Sequence, residues 1–238
     1  MIQFYSPEIE TKNILPEGES AHCCRVLRMQ EGDEIFITDG KGSRFRCEII
    51  KANPKATQIR ILEKLNICNP KGYEITLAVA PTKNPERMEW LAEKAVELGV
   101  DKIVLLKCHR SERKFMKSER LKKVMISAMK QSWGVKLPEL VELTEFSTFI
   151  KTQNENTRKF FGYCSEELSK KEFAKEYQPG EYVTVLIGPE GDFTPEEVNI
   201  AIANDFTPVT FGERRLRTET AGVYVISAIN TINQRYNN

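Results

Sequence analysis

The chain has 238 residues, of which 40% are hydrophobic and 29% are charged, and its formal net charge is only +1. With this length and no long biased tract, it can bury a sizeable core as one large domain or as a small and a medium one. No apolar run approaches membrane-spanning length and the first residues lack a signal-peptide pattern, so we expect a soluble, cytoplasmic protein without a membrane partner.

Residues 1–70 are predicted to form a small domain made mostly of β-strands. Four runs have strand-like composition: residues 4–5, 33–38, 44–50 and 57–62. The Asp39-Gly40-Lys41-Gly42 segment between the second and third run predicts a hairpin. One short helix is expected from Glu19 to Met29, and the whole pattern is that of a small barrel rather than a βαβ unit. The turn-rich stretch 69–72 marks the predicted boundary.

Residues 71–238 are predicted to alternate strands with helices. Strands are expected at six places: residues 73–80, 103–106, 140–143, 159–163, 183–187 and 209–211. Asn84-Pro85 is typical of a helix start and Gly99 of a helix stop, and another helix is expected from about Glu119 to Trp133. This alternation over about 165 residues predicts an α/β domain with a largely parallel, doubly wound sheet.

Two segments near the C-terminus organise this second domain. In the first, strand 183–187 runs into the Gly188-Pro189-Glu190-Gly191 turn. Thr194, Pro195 and Glu197 then form a capping-box pattern that starts a helix. A turn between a strand and a capped helix lies at the carboxyl edge of a sheet, which is where open α/β sheets bind ligands.

The second segment, residues 211–222, repeats the order of strand, glycine turn and helix start. Its helix, from about Glu219 to Arg235, carries apolar residues nearly all round. A helix that is apolar on most faces must be covered on several sides, either by its own sheet alone or by a partner subunit as well.

The residues of the first turn narrow the choice of ligand. Neither the Gly-x-Gly-x-x-Gly pattern of dinucleotide sites nor the Gly-Lys-Ser/Thr of a P-loop occurs. Glu190 and Asp192 beside the turn would repel a bound phosphate. A neutral or positively charged ligand fits better, and S-adenosylmethionine, with its sulfonium group, meets that condition. The alternative is that the glycines only shape a strand–helix turn.

Charge is unevenly distributed along the chain. Between Lys107 and Lys136 there are ten basic residues against Glu112 and Glu119. This excess is a candidate phosphate-contacting surface, and a solvated helix face is an equal alternative.

The cysteines and histidines predict neither disulfides nor a metal site. The six cysteines show no CxxC spacing and fit reduced thiols. His22 beside Cys23-Cys24, and Cys108-His109, lack the spaced partner pairs that a tetrahedral site needs. Trp90 and Trp133 are predicted to be packing residues.

Taken together, the two C-terminal segments resemble a known family. Ile187-Gly188-Pro189-Glu190-Gly191, followed by Leu216-Arg217-Thr218-Glu219-Thr220-Ala221, is similar to the signature of the RsmE family of the SPOUT superfamily. Further matches follow in the family's order: His22 with Val26-Leu27-Arg28, Glu93–Val100, Ser111-Glu112-Arg113, Lys130-Gln131-Ser132 and Leu137-Pro138. One departure is Trp133-Gly134-Val135-Lys136, where family members often carry an arginine that a lysine cannot replace in bidentate contacts.

This resemblance implies both a fold and a function. RsmE enzymes use S-adenosylmethionine to methylate N3 of a uridine in small-subunit (16S) ribosomal RNA. The implied structure is a homodimer whose trefoil-knotted α/β domain, with the knot at about residues 183–238, follows a PUA-like RNA-binding β-barrel. The expected partner is 16S ribosomal RNA or the small ribosomal subunit.

The reaction suggests roles for particular residues. Uracil N3 becomes a good nucleophile only on losing its proton, so catalysis needs stabilised negative charge and a proton acceptor. Arg217 is predicted for the first role. Glu219 is predicted as the proton acceptor or as an orienting group, with water or another carboxylate as the alternative acceptor. A structural ion pair of Arg217 with Glu213 or Glu219 is the alternative. Cofactor contacts are expected from Leu186, Ile187, Gly188, Pro189, Glu190, Gly191, Phe211, Gly212, Leu216 and Thr218. RNA contacts are expected from Arg28, Arg113 and Lys136.

Two other functions stay open from the sequence. One is a sister SPOUT methyltransferase with another RNA target. The other is a non-catalytic RNA-binding factor for ribosome assembly that keeps the PUA-like module. The intact Gly188–Gly191 and Leu216–Ala221 segments argue against this last function, because a retired pocket has no chemical need for either.

Overall fold

A computed structural model describes residues 2–66, 71–113, 115–165 and 168–236. The chain forms two compact units: Met1–Asn69 with Ile126–Leu137 (unit 1), and Pro70–Met125 with Pro138–Asn238 (unit 2). The predicted domains, 1–70 and 71–238, differ from these units by the segment Ile126–Leu137, and as domain boundaries they stay a prediction. Residues 69 and 70 of the predicted turn lie outside the described part of the chain.

Unit 1 is built on a four-stranded sheet in the order β1-β2-β3-β4. The strands are β1 (Gln3–Tyr5), β2 (Glu34–Thr38), β3 (Ser43–Lys51) and β4 (Gln58–Asn66). The predicted hairpin joins β2 to β3, and Asp39 shapes it by accepting hydrogen bonds from the backbone of Lys41 and Ser43 at 2.7 and 3.0 Å. Alternate residues of the strands, such as Ile35, Ile37 and Phe45, fill the core.

The predicted helix of unit 1 is not a regular α-helix. Helix α1 (Glu17–Ala21) continues as a π-helix over His22–Val26, in which the Leu27 amide donates to the His22 carbonyl. The prediction of one helix from Glu19 to Met29 was therefore wrong about the helix type after Ala21 and about the residue at which the helix ends, which is Val26. Cys23 lies in the core, and Cys24, Leu27 and Met29 pack against it, the last two from beyond the end of the π-helix.

The segment Ile126–Leu137 completes unit 1. The Gly42 amide donates to the Val135 carbonyl at 2.9 Å and the Leu137 amide to the Gly40 carbonyl at 2.8 Å, so this segment lies beside the β2–β3 hairpin. The Trp133 ring meets Phe36 edge-on at 5.6 Å. The predicted packing role of Trp133 is thus confirmed, and its ring partner Phe36 lies 97 residues away in sequence.

Unit 2 contains a seven-stranded sheet in the order β7-β6-β5-β10-β8-β11-β9, and all pairings between its described strands are parallel. The strands are β5 (Ile75–Val79), β6 (Lys102–Lys107), β7 (Glu139–Glu145), β8 (Arg158–Gly162), β9 (Lys171–Glu172), β10 (Val183–Ile187) and β11 (Thr207–Thr210). The six predicted strands are all present, and β9 is an addition. The predicted fold class is confirmed: a largely parallel α/β sheet with a separate small β unit before it. The trefoil knot stays a prediction.

Six helices connect the strands of the described chain. They are α2 (Pro85–Glu97), α3 (Ser118–Gln131), α4 (Phe146–Lys151), α5 (Phe173–Glu176), α6 (Pro195–Ala203) and α7 (Thr218–Tyr236). The predicted caps are confirmed: the Asn84 side chain accepts from the Glu86 amide, and Thr194 and Glu197 form the complete capping box. Gly99 ends α2 with a φ of +77°, which glycine adopts without strain.

Helix α7 is covered largely by unit 2 itself. Ala221, Val225, Ile226 and Ile229 are buried, whereas Tyr224 is 41% exposed. Most of the apolar surface of α7 therefore packs within one subunit. None of the described helices is long and apolar enough to span a membrane.

Candidate active site

The site begins where four neighbouring strands of unit 2 end at the same level. Val79 of β5 pairs with Ile187 of β10, Ile187 with Gly162 of β8, and Gly162 with Val209 of β11. Because the strands are parallel, the loops that follow them emerge side by side at the carboxyl edge of the sheet. This edge carries both of the segments that the sequence singled out.

Direct hydrogen bonds join those two segments. The Thr218 hydroxyl, at the start of α7, donates to the Gly188 carbonyl at 3.1 Å. The Arg215 guanidinium donates to the Glu190 carbonyl at 3.4 Å. The two segments that the sequence singled out therefore lie in contact.

Carboxylates hold the glycine turn against the neighbouring loops. Glu190 accepts a hydrogen bond from the backbone amide of Lys83, after β5, at 3.0 Å. Asp192 has a φ of +62°, and its carboxylate accepts from the Phe193 amide at 2.9 Å and from the Cys164 amide, after β8, at 3.0 Å. Local side-chain bonds of this kind let aspartate tolerate the left-handed conformation.

The loop after β6 contributes a second set of ties. The Arg110 guanidinium donates to the Gly191 carbonyl at 2.8 Å, and the His109 amide donates to buried Glu197 at 2.8 Å. Arg113 donates to the carbonyls of Thr82 and Lys83 at 3.1 and 2.6 Å. These arginines hold loops in place by using backbone acceptors.

One glycine of the site is required by close packing. A Cβ on Gly162, at the end of β8, would lie 2.5 Å from the Phe211 ring. The absent side chain lets Phe211 close over the strand end, where its ring also meets Tyr224 at 5.7 Å. The end of β8 therefore shapes the same site as the loop after β11, a role that no pattern in the sequence predicts.

The loops enclose a cavity of about 930 Å³, which we call the first cavity. Eight of the ten predicted cofactor residues line it: Ile187, Gly188, Pro189, Glu190, Phe211, Gly212, Leu216 and Thr218. Leu186 is instead buried in the core, and Gly191 is turned towards Arg110. As cofactor contacts all ten stay predictions. Lining residues that sequence reasoning missed include Arg87, Tyr163, Cys164, Ser165 and Lys170.

The two predicted catalytic residues lie together at the wall of this cavity. Arg217 is exposed, and within the described residues its side chain has no hydrogen-bond or ion-pair partner. The alternative, an ion pair with Glu213 or Glu219, is therefore not formed. Glu219 is only 7% exposed, and its partner is the Arg87 Nε at 3.6 Å.

The predicted RNA-binding residues lie in three different surroundings. Arg28 is exposed in unit 1, has no side-chain partner among the described residues, and has a φ of +54°. Arg113 in unit 2 has donors engaged by backbone carbonyls. The backbone of Lys136 pairs with Lys41 in unit 1. RNA binding by each of them stays a prediction.

The donor set of the cavity suits a small organic ligand of mixed charge. Its lining carries cations (Arg87, Lys170, Arg214, Arg215 and Arg217) and anions (Glu190, Asp192, Glu213 and Glu219). Its volume is within the usual range for a small-molecule site. No group of three or more metal-ligating side chains occurs in the part of the chain that the structure describes.

Comparisons with known proteins show the family to which the chain belongs. The model of an RNA methyltransferase domain matches residues 69–230, and that of an RNA methyltransferase PUA domain matches residues 15–62. The first match spans well over half of the chain. The protein thus belongs to the RNA methyltransferases that carry a PUA domain.

Individual relatives narrow that class. The chain is 31% identical over 234 residues to ribosomal RNA small subunit methyltransferase E of Aquifex aeolicus, covering 95% of this chain and 97% of that protein. A crystal structure of a probable rRNA-methyltransferase from Porphyromonas gingivalis is 41% identical, with a TM-score of 0.94 and coverage of 99% and 100%. The protein belongs to the ribosomal RNA small subunit methyltransferase E family, as the resemblance to RsmE predicted.

A third relative shows a ligand. The ribosomal RNA small subunit methyltransferase E of Neisseria gonorrhoeae, solved bound to S-adenosyl methionine, is 26% identical, with a TM-score of 0.87 and coverage of 98% of each chain. The predicted enzyme class, an RNA methyltransferase, is confirmed by the family.

Proposed function

We propose that the protein transfers the methyl group of S-adenosylmethionine to N3 of a uridine in small-subunit ribosomal RNA. The observation that carries this proposal is the pair of residues beside the glycine turn. Arg217 is an unpartnered cation, and Glu219 is a buried carboxylate with one free oxygen atom, Oε2. A reaction that removes a proton and develops negative charge needs such a pair.

S-adenosylmethionine fits the first cavity by size and charge. It supplies, when bound, a methyl group that the sulfonium makes electrophilic. The Gly188–Gly191 turn offers backbone groups, and Glu190, Asp192 and Glu213 surround the cavity with negative charge that suits the cationic parts of the ligand. Arg215 and Lys170 are candidate partners for its carboxylate.

Arg217 stabilises the deprotonated uracil in this mechanism. Loss of the N3 proton spreads negative charge over the two carbonyl oxygens beside N3. A guanidinium with no protein partner is free to donate to one of them, and it needs no rearrangement when the charge develops. Glu219 accepts the N3 proton, and N3 then forms its bond to the methyl carbon as the carbon–sulfur bond breaks.

RNA is bound by basic residues of both units. In unit 1, Arg28 is held in a left-handed conformation after the π-helix and its side chain is free for a phosphate. In unit 2, Arg113 keeps donors beyond those used by backbone carbonyls, since a guanidinium has five. We assign a phosphate contact to Lys136 as well.

The protein acts in the cytoplasm as a homodimer with a trefoil knot at about residues 183–238. Support comes from the resemblance to SPOUT enzymes and from Tyr224, which α7 leaves 41% exposed. Light scattering at micromolar concentration tests the oligomeric state, and a monomeric mass would refute it.

The reaction is tested by incubating the protein with labelled S-adenosylmethionine and undermodified small-subunit ribosomal RNA. We expect 3-methyluridine as the labelled nucleoside after digestion and mass spectrometry. A label at another position would contradict the proposed target atom. No label on free RNA or on assembled subunits, under conditions where calorimetry shows cofactor binding, would contradict the substrate.

A further inference from the structure

A second cavity, of about 610 Å³, adjoins the first cavity in unit 2. The two share five lining residues: Arg87, Arg215, Leu216, Arg217 and Glu219. The other side of the second cavity is formed by the start of α2 and by Thr220 of α7. A molecule in this cavity would therefore reach charged groups that also line the first cavity.

Glu219, in the wall that the two cavities share, has a carboxylate oxygen without a hydrogen-bond donor among the described residues. The residue is only 7% exposed, and its Oε2 atom is buried without a partner in the described chain. The other carboxylate oxygen lies 3.6 Å from Arg87 Nε, which is an ion-pair distance rather than a good hydrogen bond. A buried acceptor without a donor is costly, so the geometry favours a ligand that brings an N–H group to this atom.

The charged groups match one edge of uracil. That edge presents an acceptor, a donor and an acceptor in order: one carbonyl oxygen, the N3–H group and the other carbonyl oxygen. The shared wall offers the complement, with Glu219 as acceptor and the guanidinium groups of Arg87 and Arg217 as donors. Cytosine has an amino group on C4 and no proton on N3. Its amino group would face a guanidinium donor, and its unprotonated N3 would face the Glu219 carboxylate, so neither pair could form a hydrogen bond.

Trp90 supplies an aromatic surface for the base. It lies on α2, is 43% exposed and lines the second cavity, contrary to the predicted packing role. Enzymes that modify a base extrude it from its stack, and an aromatic side chain replaces part of the lost stacking. Among the described lining residues of this cavity, Trp90 is the one aromatic side chain.

We infer that the second cavity binds the extruded uracil base, with Trp90 against its ring and with Arg87, Glu219 and Arg217 reading its N3 edge. This inference rests on the proposed function and adds Arg87 and Trp90 as substrate-binding residues. Arg87 also has a positioning role, since its charge holds the Glu219 carboxylate at the wall.

A second ion pair of unit 2 provides a matched control. Arg158 Nε lies 3.6 Å from Glu181 Oε1, the same atoms and distance as in the Arg87–Glu219 pair, and neither residue lines the first or the second cavity. The experiment compares Arg87→Met with Arg158→Met, and Glu219→Gln with Glu181→Gln. Trp90→Ala is compared with Trp90→Phe and with Tyr182→Ala, because Tyr182 is an aromatic residue of similar exposure, 49%.

Steady-state kinetics with the ribosomal RNA substrate separate binding of the base from catalysis. For Trp90→Ala we expect KM to rise about tenfold with kcat nearly unchanged, and Trp90→Phe to restore KM. For Glu219→Gln we expect kcat to fall at least about 100-fold. For Arg87→Met we expect a rise in KM and a fall in kcat, with partial rescue in Arg87→Lys. Calorimetric binding of S-adenosylmethionine should be retained in the Trp90 variants, because Trp90 lines the second cavity and not the first.

Three outcomes would overturn the inference. The first is that the Arg87 and Glu219 variants have the same KM and kcat as the control variants Arg158→Met and Glu181→Gln. Another is a Trp90→Ala variant with normal KM whose oligomeric state has changed, which would make the cavity an interface between copies. The third is equal methylation of a substrate with cytidine at the target position. Nucleoside analysis of the wild-type product keeps these apart from failure of the proposed function, because 3-methyluridine would still be formed.

Discussion

Arginines in the two units occupy opposite situations. Arg44, on the sheet of unit 1, donates to the Gln3 side chain at 2.7 Å and to the Trp133 carbonyl at 2.6 Å, and lies 4.6 Å from the centre of the Trp133 ring. Arg217, at the strand ends of unit 2, has no partner among the described residues. The first is a structural cross-link, whereas the second is a charge left free for a ligand. The number of charges in a region says little about function, and the partners of each charge say more.

Between these extremes lie arginines that bind backbone carbonyls. Arg110 and Arg113 join loops after β5, β6 and β10, and Arg215 reaches the Glu190 carbonyl. Such bonds leave most guanidinium donors unused, so these residues can fix a loop and still contact a ligand. The basic stretch that the sequence marked as a candidate RNA surface therefore includes residues whose first role is to build the site.

The sharpest test of this comparison is Arg217→Ala. We expect kcat to fall about 100- to 1,000-fold, because the developing charge on uracil loses a preorganised donor. The free energy of unfolding should change by less than about 0.5 kcal/mol, since no protein contact is removed. Methylation assays and urea denaturation measure the two quantities, with Arg158→Ala as the control. Full methylation with undiminished cofactor binding would end the proposed role of Arg217.

The opposite result is expected for Arg44→Ala. We expect unfolding of unit 1 to become easier by about 2 kcal/mol, because two hydrogen bonds from a charged donor and a cation–π contact are lost. Affinity for S-adenosylmethionine should not change, because the first cavity, the proposed cofactor site, lies in unit 2. Arg46→Ala is the control: its ion pairs with Glu34 and Glu63 are exposed and should contribute at most about 0.5 kcal/mol. Equal effects of the two substitutions would contradict the comparison.

Much of the fold could be predicted because its signals are local. Thr194, Pro195 and Glu197 carry their capping information within four residues, and so do Asn84 and Pro85 at the start of α2. Strands of a parallel sheet are buried on both faces, which makes runs such as 183–187 easy to recognise. The π-helix and the packing of Trp133 in unit 1 depend on contacts distant in sequence and could not be predicted in this way.

The same distinction between local signals and contacts distant in sequence applies to the site. Its glycine turn and the Arg217–Glu219 segment were predicted, since each follows a strand whose carboxyl end faces the cavity. Arg87 and the loop after β8 were missed, because strand order decides which distant segments meet there. In the sequence, Arg87 is indistinguishable from other charged residues on a helix surface. Its place in the site is shown by its ion pair with Glu219, which lies 132 residues later.

Two buried carboxylates allow a third test of whether the partners of a charged group indicate its role. Glu197 and Glu219 are both 7% exposed, but both oxygens of Glu197 accept backbone hydrogen bonds, from His109 at 2.8 Å and Thr194 at 2.9 Å. Glu197→Gln places an amide donor against one of these N–H groups, so we expect a loss of about 1.5 kcal/mol in unfolding free energy. Glu219→Gln should cost less, since one oxygen has no donor to lose. Thermal and chemical denaturation of both variants measure this difference, and a larger loss for Glu219→Gln would contradict it.

The smallest expected effect concerns Arg215, which lies between the two extremes. The Cys164 thiol lies against the wall of the first cavity, and its pKa is raised above the ordinary thiol value of 9.0. Partial burial is the main cause, followed by repulsion from Asp192, and Arg215 opposes both. Because a thiolate is the reactive form, Cys164 should react with iodoacetamide more slowly at pH 8 than the same thiol in unfolded protein.

Removing Arg215 raises the pKa of Cys164 further, so the thiolate fraction at pH 8 falls and alkylation of Arg215→Ala should be slower than that of the wild type. Cys23 and Cys47, whose pKa burial raises to about 12, should stay unlabelled and serve as internal references. The rates of wild type and variant should converge at pH values above both Cys164 pKa values, because the thiol is then ionised in both. A difference that persisted there would show that Arg215 controls access to the cavity rather than its charge. Faster alkylation at pH 8 would contradict the expected stabilisation of the Cys164 thiolate by Arg215.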